Sequence, residues 1–323
     1  MTTERHLADI PTETAAAPAT PVNSATPATP APSVTPAVRA ASFTAAPSAP
    51  SAPSARPGRP GIWRASVARS KVELKSFFRN RQSLIFTLAL PIMLLVVLGS
   101  IFSGTVQGTT VDFKQVFIAG IIASGVMSVS FTGLAINIAI ERDTGTIRRL
   151  ACSPMPKSAY FIGKIVRVAV TGVIETVILL GVALALFKLP LPGTLTAWLT
   201  LLWVLFLGAV ACSLLAIAFT ALIPNSRSAS AIVTPPFLVL QFISGVFFPF
   251  NQLPLWMQNT AALFPLKWMT QGLRSVFLPE AFARVEPAGS WELDRVALVL
   301  GAWCLAGLLL SVLTFSWRGP NVR

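Results

Sequence analysis

Six runs of about twenty apolar residues, each interrupted by no more than an isolated charge, decide what this chain can fold into. They fall at roughly 84–102, 116–140, 165–187, 198–223, 232–250 and 295–316. An α-helix rises about 1.5 Å per residue, so about 20 such residues cross the hydrocarbon core of a bilayer. Within that core a backbone must satisfy its own N–H and C=O groups, which a helix does. The expected fold class is an all-α integral membrane protein with six transmembrane helices. Composition agrees: 54% of the chain is hydrophobic and 11% is charged, against about 25% charged in a soluble domain. Pro91 and Pro235 fall inside or at the start of runs, where neighbouring helices can satisfy the freed carbonyls.

Lys and Arg set the orientation, because cytoplasmic loops hold the excess of them. Six runs put both termini on one side. That side carries Arg64, Arg69, Lys71, Lys75, Arg79 and Arg81 before the first run, and Arg142, Arg148, Arg149, Lys157, Lys164 and Arg167 after the second. Arg227, Arg318 and Arg323 add to it, while the opposite side holds Lys114, Lys188, Lys267, Arg274, Arg284 and Arg295. Both termini are therefore expected in the cytoplasm, with the chain a multi-pass protein of the cell (plasma) membrane. A net charge of +13 could also suit a nucleic-acid binder. Here the cations mark the ends of apolar runs and form no patch interleaved with aromatics, so the expected partner is membrane lipid and not nucleic acid.

Residues 1–60 are built from Ala, Pro, Ser and Thr. Such a segment buries too little apolar surface to offset ordering entropy, so a disordered cytoplasmic tail with polyproline character is expected. No basic stretch followed by an apolar one precedes the first run, so no cleaved signal is expected. Over 61–83 the pattern changes. Trp63, Val67, Leu74, Phe77 and Phe78 share one helical face, and Arg64, Lys71, Lys75 and Arg79 flank the opposite side. A basic amphipathic helix lies in the interface plane, its cations near anionic headgroups. Placed just before the first run, it reads as an N-terminal amphipathic elbow helix.

Leu253 to Leu266 is apolar, bracketed by Pro254 and Pro265, and too short to span. It is expected to be a re-entrant outer segment between spans five and six, with Trp256 and Trp268 at headgroup depth.

Few residues offer chemistry. His6 is the sole histidine, and Cys152, Cys212 and Cys304 are far apart with no paired spacing, so neither a catalytic nor a metal site is expected. Glu175 is the one ionisable group near the centre of a run. A carboxylate there costs about 2.5–3.5 kcal/mol and by default faces the bundle or a cavity. It could bind a cationic substrate, couple to protons, or sit hydrogen-bonded in the core. Asn137, Gln241 and Ser244 are expected to be packing contacts between helices, and Gly120, Ala123, Ser124 and Gly125 favour close helix approach.

The connection after the second run is longer than a plain link needs. It reads Glu141-Arg-Asp-Thr-Gly145-Thr146-Ile-Arg-Arg-Leu150, then Pro154, Pro156, Tyr160 and Gly163-Lys164. A short helix across the cytoplasmic face, offered to a soluble partner, fits that length and its punctuation. Glu141, Gly145, Thr146, Leu150, Pro154, Gly163 and Lys164 resemble the E-x-x-x-G-T-x-x-x-L…P…GK loop of type-2 ABC exporter permeases. Ser244-Gly245, Phe248-Pro249, Leu253-Pro254, Trp256, Phe264-Pro265-Leu266 and Leu273-Arg274 resemble that family's second stretch. The likeness covers roughly residues 62–318, and its flavour is closest to the daunorubicin and drug-resistance type. Arg148-Arg149 departs from it, standing where the family pattern has an acidic residue.

The resemblance implies a six-span permease domain over 84–318, with the 141–164 loop coupling to an ATP-binding cassette ATPase subunit. It implies an outer gate at Ser244, Gly245, Phe248, Pro249, Leu253, Pro254, Trp256 and Pro265. It also implies pairing as a homodimer or with a paralogous permease. The chain holds no GxxxxGK[ST] loop, since Gly163-Lys164 lacks the upstream glycine and precedes Ile165. The chain is thus not expected to be an enzyme, and ATP-Mg would sit on the partner subunit. The expected function is ATP-driven efflux of hydrophobic or amphipathic small molecules, of drug or antibiotic type. Lipid-linked glycan or lipid export, and a proton-coupled secondary transporter using Glu175, are the alternatives. A six-span intramembrane protease would need a serine–histidine pair or two aspartates at membrane depth, and the sequence has neither. A membrane scaffold without transport is opposed by the motif pair.

Overall fold

Helices α1 (Ile62–Arg79) and α2 (Arg81–Ile101) are separated by Asn80 alone, which breaks the ladder so that α2 leaves in a new direction. The computed structural model describes residues 61–102, 104–106 and 111–315, without the side chains of Ser83, Leu84 and Phe86; the tail expected over 1–60 lies outside the described residues. The elements that follow are α3 (Phe113–Met127), a π-helical turn (Ser128–Gly133), α4 (Leu134–Asp143), α5 (Thr146–Ala151) and α6 (Lys157–Phe187). Then come α7 (Leu195–Phe219), α8 (Ser226–Ile243), α9 (Leu255–Ala262), α10 (Pro265–Phe277) and α11 (Leu293–Thr314). Among the described residues, extended pairing is confined to a bridge between Thr105 and Asp112.

Polar residues start the helices where the apolar runs begin. Asp112 accepts from the Lys114 N–H at 3.1 Å, Thr194 from Ala197 at 3.3 Å and Asn225 from Ser228 at 2.9 Å. Each satisfies a donor that a helix leaves without an intrahelical partner. Among the described residues, four stretches are long and apolar enough to cross a membrane: Phe113–Asp143, Lys157–Phe187, Leu195–Leu222 and Leu293–Thr314. The described apolar part of α2, Thr87–Ile101, is shorter.

Helix α3 is the hub. Every residue from Val116 to Met127 is buried, which explains a run that is apolar all round. It packs against α2, α6, α7 and α10, while α11 leans on α7 and leaves one face open. The second run is not a plain α-helix. At Ser128–Gly133 it widens by one residue, and the Ser130 hydroxyl bonds back to the Val126 carbonyl at 2.6 Å. Such turns recur at functional sites.

Two further differences from the sequence reading are local. The fifth run, read as 232–250, is helical only to Ile243; Gly245 takes φ 73°, and residues 244–249 form a turn. The segment read as one short piece, 253–266, is two helices: α9, and an α10 that starts with Pro265 at its first turn and continues to Phe277. Proline suits that position because its missing N–H would lack an intrahelical partner anyway.

Candidate functional site

Helix α1 carries three stripes. Ser66, Arg69, Glu73 and Phe77 face α6; Trp63, Val67 and Phe78 are exposed beside them; Arg64, Lys71, Lys75 and Arg79 are exposed on the third side. Phe77, grouped by spacing with the apolar face, turns instead onto α6, where the Arg167 guanidinium lies 5.1 Å from its ring centre. Contacts advance in the same direction along both helices, from Arg69 on Tyr160 and Gly163 to Phe77 on Arg167. Gly163 permits this approach, since a Cβ there would come within 2.7 Å of Arg69 Cγ.

The seam between α1, α4 and α6 is ionic. Lys164 Nζ, fully buried, lies 2.5 Å from Glu141 Oε1 and 2.9 Å from Glu73 Oε1, and donates to Asn137 Oδ1 at 2.8 Å. Arg69 pairs with Glu73, and the Tyr160 hydroxyl donates to Glu141 Oε2 at 2.9 Å. Arg167 stands 3.7 Å from Glu73 Oε2. Burial alone would raise the Glu73 carboxyl, but the Lys164 ammonium and its hydrogen bond, with Arg69 and Arg167, hold it below the ordinary 4.5. Opposite charges at this range favour the ionised form.

Beyond this seam, the loop folds back. Gly145 takes φ 72° just before α5, a left-handed conformation that suits glycine. Ile147 tucks into the core, Thr146 bonds Thr144 at 3.1 Å, and Arg148, Arg149, Cys152 and Pro154 are exposed, with Leu150 half-buried. Arg142 donates to the Thr220 carbonyl at 3.1 Å and to that of Ile223, and Asp143 accepts from the Ser226 N–H at 2.5 Å. The loop is thereby tied to the end of α7 and the start of α8. Of the residues singled out here, Glu141, Gly163 and Lys164 point into the seam with α1. Gly145, Thr146, Leu150 and Pro154 belong to the α5 turn.

At the other end, Arg274 of α10 organises the turn after α8. Its guanidinium donates to the Gly245 carbonyl and, at 3.3 Å, to that of Phe248, and it pairs with Glu286 at 3.0 Å. The Thr270 hydroxyl donates to the Ser244 carbonyl at 3.0 Å. Ser244, Gly245, Pro249 and Pro265 are buried and Leu253 is half-buried. Phe248, Pro254 and Trp256 are exposed. Lys267 is buried, bonded to Gln271, with its ammonium 3.6 Å from the Trp268 ring centre. Burial lowers its pKa to about 8, more than Glu292 and Glu286 restore.

Glu175 of α6 is 1% exposed and faces Gly125 of α3, where a Cβ would lie 2.4 Å from its Oε1. Neither carboxylate oxygen has a hydrogen-bond partner among the described residues. Gln241 of α8 donates to the Ser124 hydroxyl of α3.

The profile of the ABC-2 type transporter family matches residues 67–278, from the first turns of α1 to the end of α10. The chain belongs to the ABC-2 type transporter family. It is a type-2 ABC permease and a multi-pass membrane protein. It is 24% identical over 195 residues to the probable multidrug ABC transporter permease YbhR of Escherichia coli K12, and equally to that of Escherichia coli O157:H7. Those alignments cover 59% of this chain and 51% of the relatives, so the chain spans about half the length of the curated relatives it matches. Both the ionic seam and the Arg274 turn of this permease lie inside the matched stretch. Sequence reasoning missed Glu73, although an acidic residue alone among the cations of α1 was the signal that a partner lay across a helix seam. Asn137, read as a polar contact between helices, accepts from the seam's lysine.

Proposed function

We propose that this permease is the membrane subunit of an exporter whose ATP is hydrolysed on a separate ATP-binding cassette subunit, where ATP-Mg binds. The observation that carries the reading is the α5 turn. Its exposed Arg148, Arg149 and Pro154 project from a base anchored to α1 and α6 by the Lys164 seam and to α7 and α8 by Arg142 and Asp143. A push on such a turn moves several long helices together. ATP binding closes two partner subunits, α5 carries the motion inward, and a path between two permease units opens outward. The chain's part is differential affinity for cargo in its two states.

In this reading six helices cross the bilayer, α2 and α8 completing the four longer spans, with both termini cytoplasmic and α1 as the elbow. The turn held by Arg274, with α9 and α10, is the outer gate. Cargo is hydrophobic or amphipathic and of drug or antibiotic type, supported by apolar helix faces and by what the relatives are named for. Lipid or lipid-linked glycan is the alternative cargo.

The test is purification of the tagged chain from a gentle detergent extract, with ATPase assay, for the wild type and for Gly145→Val with Thr146→Trp. An ATP-binding subunit that accompanies the wild type and is lost from the variant supports docking at α5. A wild type that never carries ATPase activity overturns the reading.

A second reading rests on Glu175, whose buried carboxylate lacks hydrogen bonds among the described residues. It would bind a cationic cargo or a coupling proton. Glu175→Gln is then expected to reduce export of cationic compounds and spare neutral ones; equal export of both classes sinks it.

A further inference from the structure

The ionic seam opens on one side into a cavity of about 220 Å³ walled by the end of α1, the start of α2, the π-helical turn, α4 and α6. Its lining is two-natured: Phe77, Val129 and Ile140 are apolar, while Asn80, Asn137 and Arg167 are polar. The seam holds three cations, Arg69, Lys164 and Arg167, against two carboxylates, Glu73 and Glu141, and so keeps one positive charge. That surplus falls at Arg167. Lys164 and Arg69 are in direct contact with Glu73, whereas Arg167 stands 3.7 Å away, packed on the Phe77 ring and bordering the cavity. Arg79 and Arg81, both exposed, adjoin Asn80 in the chain and stand outside the lining. Next to them runs the exposed apolar stripe of Trp63, Val67 and Phe78.

We infer that this cavity seats the head group of an anionic phospholipid from the leaflet that α1 faces. Arg167 holds the phosphodiester, Asn137 offers its amide N–H, and the tails remain in the bilayer beside Val67 and Phe78. Charge complementarity selects this occupant: Arg167, the cation in the lining, opposes a cationic head, and a zwitterionic one brings its own ammonium to the same guanidinium. Basic pockets between helices on the cytoplasmic side bind anionic head groups for this reason. The widened turn matters because Val129 and Gly133 lie on it, so the room exists where the helix departs from α geometry. A lipid seated here touches α1, α4 and α6 at once and reinforces the seam from its open side. The inference rests on the chain's place in a membrane and is independent of what it exports.

The test is native mass spectrometry of the full chain released from nanodiscs of equal parts phosphatidylglycerol and phosphatidylcholine. Wild type is expected to keep phosphatidylglycerol in preference to phosphatidylcholine. Arg167→Gln should lower that retention about fivefold, the effect of one interfacial cation. Ile140→Trp fills the cavity without touching a charge and should do the same, and it decides the matter if Arg167→Gln does not fold. Equal retention of the two lipids by wild type overturns the proposal. So does undiminished phosphatidylglycerol on Ile140→Trp, which would place the lipid on the outer cations of α1. No ATPase enters the readout, so docking at α5 can fail while this site stands.

Discussion

Lys164 of α6 and Glu73 of α1 are 91 residues apart in the chain and 2.9 Å apart in the fold. The ammonium also touches Glu141 at 2.5 Å, so one buried cation bridges carboxylates from two other helices. Removing one member of such a cluster leaves charge buried without a partner, which costs about 3–5 kcal/mol. Lys164→Met takes a buried cation from both carboxylates, leaving Glu141 only Arg69 at 3.7 Å while Glu73 keeps Arg69 and Arg167; Glu73→Gln leaves Lys164 its contact with Glu141. We expect Lys164→Met to lower the melting temperature in detergent markedly and Glu73→Gln to lower it less. The double variant should recover part of the Lys164→Met loss, since Arg69 is then left to Glu141 alone. Strict additivity in this cycle would show that the two groups do not sense each other.

The same pair gives α1 a pH dependence of definite sign. Glu73 is held below 4.5 in the fold, so the folded state keeps it ionised where the unfolded chain binds a proton. Its stabilising share is complete above pH 4.5 and is lost as pH falls through the lower folded value. Protection factors in α1, exchange rates corrected for the intrinsic effect of pH, should therefore fall below about pH 4.5 while those of α3 hold. Glu73→Gln should flatten that response; an unchanged acid response in the variant would assign it to another group.

How much of this was legible beforehand depended on whether one helix could be read alone. The long apolar runs of α3, α6, α7 and α11 were plain, because hydrophobicity over about 20 residues needs no partner to recognise. Gly145 was readable as a turn residue for a similar reason, a local backbone requirement. The ion cluster was not, since Glu73 and Lys164 look like ordinary charges until α1 lies along α6. Gly163 was singled out as part of a motif, but its physical reason, the passage of Arg69 across it, belongs to the packing. The end of α8 was misplaced because Ser244 to Phe250 remains apolar after the backbone has turned at Gly245. Composition reports what solvates a segment and is silent about where it bends.

Lys267 should give the region of α10 a pH response of the opposite kind from an ordinary exposed lysine. Burial brings its pKa to about 8 from 10.5. The folded state releases this proton first, so stability is lowest below pH 8 and rises as pH climbs from 8 towards 10.5. Between about pH 7 and pH 9 the gain is on the order of 1 kcal/mol by linkage. We expect a rise of a few degrees in melting temperature over that interval, absent in Lys267→Met. A wild type and variant with parallel pH curves would mean that Lys267 keeps its proton in the fold.

The turn after α8 rests on a backbone contact that leaves no space for a side chain. At Gly120, in the middle of α3, a Cβ would stand 2.3 Å from the Val246 carbonyl oxygen and 2.9 Å from its Cα. The obstacle is main chain, so no rotamer change relieves it, and overpacking of this kind costs about 1–3 kcal/mol. Gly120→Ala should therefore shift the 244–249 turn away from α3, and with it the Gly245 and Phe248 carbonyls that Arg274 holds. Gly181 has open space at its Cβ, and Gly181→Ala should be neutral or slightly stabilising through helix propensity. The readout is melting temperature together with cysteine labelling at an exposed Phe248→Cys, which should react faster in the Gly120→Ala background only. Equal labelling in both backgrounds would show that the turn holds without the close approach of α3.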